Sequence, residues 1–250
     1  ERYKESDTGN VNQPKPDFES VKVKPTFREK IQLETIASLP ANHFAKEYVV
    51  NRKIPEKFYS QLYFAPDFKQ FVEGLGVEKD GLIDGDQRLI IPFYDREKNL
   101  VAVQGRALGE SKIRYITVKI IDDVPKIFGL DRVDETKPIY VVEGPIDSMF
   151  LDNAVATADS HLEAVSNVFD KSKVVLIFDN EPRNKEICKQ IERAVDNHYN
   201  VVIWPVFVEE KDINDMILSG FSQDEIQEFI DKHTFVNLRA KAEFVNWKKI

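Results

Sequence analysis

Residues 139 to 147, Ile-Tyr-Val-Val-Glu-Gly-Pro-Ile-Asp, run an apolar strand straight into an acid, a glycine and a proline, and this junction constrains the fold more than any other stretch. Pro145 suits the first turn of a helix, where its missing N–H is not needed. Gly144 lets the chain turn tightly or lets another group come close. The unit then repeats. Apolar runs at 154–157, 174–178 and 201–204 alternate with segments predicted to be helical at 145–152, 160–169 and 184–198. Strands alternating with helices build a parallel sheet with crossover helices, and in such sheets function collects at the carboxyl ends of the strands. Two further helices are predicted at 212–219 and 223–231, with the tail through Trp247 left undetermined.

Upstream the pattern differs. Residues 27–75 carry helix-like periodicity, in Phe27, Ile31 and Leu33 to Leu39, in Phe44 through Val50, and in a segment after Pro55. Their aromatics, among them Phe44, Tyr48, Phe58, Tyr59, Tyr63 and Phe64, read most simply as core. From Arg88 onward, short apolar runs at 89–91 and 100–103 flank Asp95-Arg96-Glu97-Lys98-Asn99, a hairpin pattern. The expected fold class is α/β. It divides into a linker over 1–25, a mixed α+β basic subdomain over 26–138, a parallel-sheet subdomain over 139–219 and a C-terminal helical segment over 220–250.

Three carboxylates stand at or just past the ends of predicted elements: Glu143, Asp179 and Glu181. Magnesium prefers hard oxygen ligands and is commonly held by one or two carboxylates together with substrate phosphates. Asp179 and Glu181 are one residue apart, so both can turn toward one ion with Asn180 pointing away. The structural alternative is that such acids cap helices or favour the helix dipole. Asp147 is open to either reading, as a group behind the ligands or an ordinary first-turn acid. Asp212 and Asp215 are equally open, since they can serve a second metal ion or Asp212 can simply N-cap the helix that follows.

Charge is divided along the chain. The net charge of −8 argues mildly against tight nucleic-acid binding, but the average hides an asymmetry. Residues 139–231 hold seven Lys/Arg against nineteen Asp/Glu, whereas residues 86–130 hold eight Lys/Arg against six Asp/Glu. The acidic half suits metal ions and the other half suits phosphate. A membrane span needs roughly 18 apolar residues in a row and no stretch approaches that, so a soluble intracellular chain is expected. The single cysteine, Cys188, forms no internal disulfide and cannot furnish a Cys-rich zinc site, so zinc is expected only in a module outside this sequence. The start at Glu1 and the polar, proline-bearing 1–25 read as a linker from such an upstream region.

The order Val-Glu-Gly-x-x-Asp at 142–147, Asp-x-acid at 179–181 and Lys-Asp-x-x-Asp at 211–215 resembles the Toprim domain. That domain is shared by bacterial-type primases, topoisomerases and some nucleases. The preceding region narrows the choice. Gln87-Arg88-Leu89-Ile90-Ile91-Pro92-Phe93, followed by Gln104-Gly105-Arg106-Ala107, is similar to the catalytic core of DnaG-like primases, as are 112–116 and 126–130. Gln104 and Pro145 depart from that family's usual glycine and tyrosine. The Asp179-Asn180-Glu181-Pro182-Arg183-Asn184 variant resembles the primases of T-even-like phages.

The resemblance implies an RNA polymerase core that makes short RNA primers from NTPs on a single-stranded DNA template. It implies Glu143, Asp179 and Glu181 as catalytic metal-holding acids using Mg²⁺ or Mn²⁺, with Asp212 and Asp215 as further ligands and Asp147 behind them. Arg88, Arg106, Lys112, Arg114 and Lys126 would contact triphosphate or template, where a guanidinium offers bidentate geometry. It also implies a replicative helicase as partner, no membrane, and the cytoplasm as location, a host's if the gene belongs to a phage. Two other readings stay open: a Toprim nuclease using the same acids for hydrolysis, and a non-catalytic Toprim binding module. No Walker A motif is present to support the ATPase-linked nuclease.

Overall fold

The computed structural model describes residues 31–158 and 162–250. The expected linker over 1–25, Phe27 and the first two residues of the helix expected at 160–169 lie outside the described residues. Two five-stranded sheets organise the rest. The first takes β1 (Glu34–Thr35), β2 (Tyr63–Ala65), β3 (Arg88–Tyr94), β4 (Leu100–Ala107) and β5 (Tyr115–Lys119) in sequence order. Every pairing in it is antiparallel. Two short helices, α1 (Phe44–Asn51) and α2 (Phe68–Gly74), lie in its connections.

The second sheet runs in the order β10-β9-β8-β6-β7, made of β6 (Ile139–Val142), β7 (Ala154–Ala156), β8 (Val174–Leu176), β9 (Asn200–Val202) and β10 (Thr234–Phe235). The pairings β6–β7, β6–β8 and β8–β9 are parallel, while β10 adds antiparallel to β9. The strand order doubles back at β6, so chain connections leave a crevice at the carboxyl ends of β6 and β8. Helices α3 (Pro145–Ser148), α4 (Lys185–Asp196), α5 (Ile213–Ser219), α6 (Gln223–Lys232) and α7 (Asn237–Trp247) complete this half.

One apolar core serves both sheets. Leu89, Ile91 and Phe93 on β3 join Val141 on β6 and Leu176 on β8 in a single buried cluster. Ile90 points the other way, into a smaller cluster with Phe68, Val72 and Val103, as the two-residue period of a strand requires. Phe128 bridges the halves, exchanging backbone hydrogen bonds of 2.8 and 3.0 Å with Ala156.

Local chemistry explains where the elements begin. Asp67 caps α2 by accepting from Gln70 N–H at 2.9 Å, Asn184 caps α4, and Ser222 with Glu225 forms a capping box on α6. The hairpin expected around 95–99 is present, with Asp95 accepting from Asn99 N–H at 2.7 Å.

Three expectations need correction. Leu33 to Leu39 is a two-residue strand followed by turns, because the Thr35 and Ser38 hydroxyls bond the local backbone and compete with a helix. The helix expected at 160–169 is a short 3₁₀ helix at Leu162–Asn167, whose buried Leu162 and Val165 sit three apart, matching its three residues per turn. Strand β8 ends at Leu176, and although Ile177 N–H still reaches Val141 O at 2.9 Å, Asp179 stands three residues past the strand rather than one.

Candidate functional site

Glu143 leaves β6, Asp147 rides the first turn of α3, Asp179 follows β8, and Asp212 N-caps α5. All four line one recess at the carboxyl edge of the parallel sheet, together with Val142, Ile177, Phe178, Trp204 and Ile213. The space at its centre is about 10 Å³, the scale of a single water or ion. The walls are fixed by backbone bonds: Trp204 Nε1 donates to Phe178 O at 2.9 Å, and Asn180 N–H donates to Lys211 O at 2.6 Å. Asn180 also donates through Nδ2 to Val208 O at 2.8 Å and accepts from Trp247 Nε1 at 2.9 Å, which ties α7 to this edge.

The electrostatics are those of carboxylates crowded together. Burial, reinforced by Asp212 and Asp179, pushes Asp147 up to about 8, against the help of the Asn214 N–H and Arg52. Burial, with Glu143 and Asp212, pushes Asp179 up to about 6 while Lys211 opposes the rise. Asp212 is raised as well, again chiefly by burial. Lys211 Nζ stands 3.4 Å from both Asp179 Oδ2 and Glu181 Oε1, and those two carboxylates outweigh its own burial to raise its pKa.

Gly144 shows how tightly the edge is built. A Cβ there would lie 2.5 Å from Asp147 Oδ2, so the glycine leaves room for a carboxylate that folds back over the strand end. Among the described residues no group of three or more Asp, Glu, His or Cys side chains is already converged on one point to hold a metal ion. The donor set nevertheless fits a hard divalent cation: all oxygen, mutually repelling, and around an ion-sized recess.

Other expected residues fall in different places. Glu181 turns into the neighbouring cleft with Pro182, Arg183 and Trp247, and its Oε2 accepts from Asn184 Nδ2 at 2.9 Å. Asp215 lies outside the acid recess, in the first turn of α5, where its N–H is the donor to Asp212 Oδ1 at 2.8 Å. Lys112 and Arg114 are exposed in the approach to β5, and Lys126 is half-buried.

Arg88 requires a correction. It is 1% exposed, and its Nε meets Asp86 Oδ2 at 2.6 Å while its two terminal nitrogens donate to Gly105 O at 2.9 Å and Ile113 O at 3.0 Å. Its donors are directed at the protein, so it holds β3, β4 and the 111–113 loop together and presents none of them to phosphate. Gly105 is its counterpart: a Cβ there would meet Arg88 Cδ and Phe68 at 2.8 Å.

Arg106 is also buried, but its surroundings differ. Its guanidinium lies 4.8 Å from the Tyr115 ring centroid and 5.6 Å from that of Tyr48, and its Nε has no hydrogen-bond partner. Tyr115 in turn is within electrostatic reach of Asp147 and Arg52. Tyr48 of this stack also carries the Arg52 guanidinium, whose Nη1 donates to Asn214 Oδ1, so the stack connects through Arg52 and Asn214 to Asp147 of the acid recess.

Two participants, Arg52 and Asn214, receive no role from the sequence, while Tyr48 reads as core with base stacking open to it and Lys211 only as part of the 211–215 motif. Arg52, Tyr48 and Asn214 connect the first sheet's helices to α5, and Lys211 faces the acids. Asn214 sits inside the acidic 211–215 motif, but no local signal distinguishes it, because its partner Arg52 lies 162 residues away in sequence.

The α/β fold, with its antiparallel and mostly parallel sheets, is similar to the catalytic cores of DnaG-like primases. The chain aligns with the Aquifex aeolicus primase structure containing its zinc-binding and RNA polymerase domains (TM-score 0.60, 21% identity, 83% of this chain and 64% of that one). It also aligns with a DnaG primase catalytic domain bound to single-stranded DNA (TM-score 0.56, 15% identity, 85% and 80% coverage). These likenesses concern the fold. In sequence, the chain is 32% identical over 217 residues to the DNA primase of Enterobacteria phage T4, covering 85% of this chain. It spans 62% of that curated relative's length. No protein-family model matches the chain. The chain is thus similar in sequence to a phage DNA primase and in fold to DnaG primase catalytic domains. Among the described residues no helix is long and apolar enough to cross a membrane.

Proposed function

We propose that this chain is the RNA polymerase core of a DNA primase, joining ribonucleotides into short primers on single-stranded DNA. The observation that carries this reading is the gathering of Glu143, Asp147, Asp179 and Asp212 around one ion-sized recess, to which the Arg106–Tyr48–Tyr115 stack connects through Arg52 and Asn214. Acids alone would serve hydrolysis equally well, and the neighbouring cationic and aromatic groups favour a site that also holds nucleotide.

In the reaction a primer 3′-hydroxyl attacks the α-phosphate of an NTP, and the α–β phosphoanhydride bond breaks to release pyrophosphate. Mg²⁺ or Mn²⁺, when bound, would lower the pKa of the attacking hydroxyl and neutralise charge on the departing oxygen. Glu143 and Asp179 would supply its carboxylate ligands, with Glu181 reached from the adjoining cleft and Asp212 and Asp215 serving a further ion. Asp147 holds the α3 turn against α5 and accepts from Asn214 N–H at 2.9 Å. Lys211 is the counter-charge of Asp179 and Glu181 in the absence of the ion and is placed to turn toward phosphate once the ion replaces it.

Arg106, in a site screened from water, would meet the charge developing on the triphosphate. The exposed Lys112 and Arg114, and the half-buried Lys126, would bind template backbone or triphosphate. In this reading residues 26–138 form the N-terminal lobe, whose 86–130 stretch carries a basic excess, 139–219 the acidic Toprim lobe and 220–250 a C-terminal segment that is helical apart from β10, preceded by a linker over 1–25. The partners would be single-stranded DNA, NTPs, the RNA primer and a replicative helicase, in the cytoplasm, with zinc confined to a module outside this sequence. Primer synthesis on single-stranded DNA with Mg²⁺ or Mn²⁺ tests the reading: product with NTPs supports it, and metal-dependent degradation of DNA without NTPs would replace it with the nuclease.

A further inference from the structure

Asn214 makes three hydrogen bonds that join three elements. It is 2% exposed at the second position of α5. Its side-chain Oδ1 accepts from Arg52 Nη1 at 2.7 Å, and its Nδ2 donates to the Arg52 carbonyl at 2.8 Å. Its backbone N–H donates to Asp147 Oδ1 at 2.9 Å. Arg52 itself is the C-cap of α1, with its N–H bonded to Tyr48 O and Val50 O, and its guanidinium stacks 5.6 Å from the Tyr48 ring. One buried amide therefore connects the end of α1, the start of α5 and an acid of the recess across 162 residues of sequence.

We propose that the reciprocal Arg52–Asn214 pair is a positioning device that fixes Asp147 at the recess, so that the seating of the first sheet's helices sets the geometry of cation binding. A first-turn N–H of a helix has no intrahelical partner. Here that donor goes to Asp147, and its direction is fixed because the same residue's side chain is clamped by both a donor and an acceptor of Arg52. Removing either partner leaves buried polar groups unmatched and frees α5 to rotate relative to α3. The same pair brings Tyr48, and through it Arg106, into register with the acids. A neighbouring contact offers a control: Lys53 Nζ donates to Ile217 O at 3.0 Å, linking the same two elements without touching Asp147 or Asn214.

This inference rests on the metal-site reading, and Mn²⁺ binding to the full chain, followed by electron paramagnetic resonance, separates the two. Arg52→Ala and Asn214→Ala should each weaken Mn²⁺ binding about 10-fold or more, as loss of a group orienting a ligand does. The double variant should be no weaker than the poorer single one, and Lys53→Met should bind as wild type does even where its melting temperature falls. Arg52→Lys keeps charge at a half-buried position but lacks the guanidinium fork, and it should lose several-fold affinity. It carries the test if Asn214→Ala does not fold. Wild-type affinity in Arg52→Lys and Asn214→Ala, or an equal loss in Lys53→Met, would overturn the positioning role alone. Absence of Mn²⁺ binding in the wild-type chain would overturn the metal site and this inference together.

Discussion

Asp147 folds its carboxylate so far back over Gly144 that a Cβ on the glycine would come within 2.5 Å of Oδ2. The glycine's backbone, at φ −89° and ψ 130°, is one any residue adopts, so the constraint is space and not conformation. Gly144→Ala should therefore displace Asp147 and cost about 1–3 kcal/mol. Adding Asp147→Ala should remove the clash and recover part of that loss. Thermal melts of the two variants check this, and a double variant less stable than Gly144→Ala would refute the steric account.

Crowded carboxylates set the pH dependence of stability. Asp147 at about 8 and Asp179 at about 6 bind protons more tightly folded than in the unfolded chain, where the ordinary value is 3.8. The folded state thus holds more protons in this window, and stability falls as pH rises through it. Carboxylates held low, such as Asp67 and Glu225, act below the window. Melting temperature in EDTA should drop between about pH 5 and 8, and millimolar Mg²⁺ should reduce the drop. A rising melting temperature in EDTA over that range would contradict it.

Arg88 and the exposed basic residues should behave oppositely. Arg88→Met strands the Asp86 carboxylate and the Gly105 and Ile113 carbonyls, a loss of about 3–5 kcal/mol for one partner of a buried pair. Lys112→Ala and Arg114→Ala should change stability by less than about 0.5 kcal/mol. They should instead weaken single-stranded DNA binding and lower its salt slope by roughly 0.7 for each phosphate left without its basic partner. Denaturant melts and binding at two salt concentrations separate the classes.

Gly105→Ala should mimic the Arg88 lesion. Its Cβ would meet Arg88 Cδ and the Phe68 ring at 2.8 Å, costing about 1–3 kcal/mol, and Phe68→Leu in the same chain should restore part of it. Failure of that pairwise rescue would show that the close approach is relieved elsewhere.

The legible parts of this molecule were those governed by local periodicity. The strands from Ile139, Val174 and Val201 and the β3–β4 hairpin follow directly from short apolar runs between turn residues. Leu33 to Leu39 misled because hydroxyl side chains at Thr35 and Ser38 redirect a segment whose apolar spacing looks helical. Within the site, the acids ending β6 and following β8 were readable because strand ends converge in a parallel sheet. Arg88 was not, since nothing local reveals that Phe68 and a side-chain-free Gly105 make a pocket for it. Arg52 and Asn214 were hidden for the same reason: their partnership exists only after 162 residues of chain have folded.

The central claim is that the acid recess carries out primer synthesis. The most direct measurement is NTP incorporation on single-stranded DNA with Mg²⁺ or Mn²⁺, comparing the wild-type chain with Glu143→Gln and Asp179→Asn at matched folded fractions. The account predicts product from the wild type and a loss on the order of 100-fold or more in each variant, as expected when charge stabilisation of a transition state is removed. Undiminished product from both variants would contradict it.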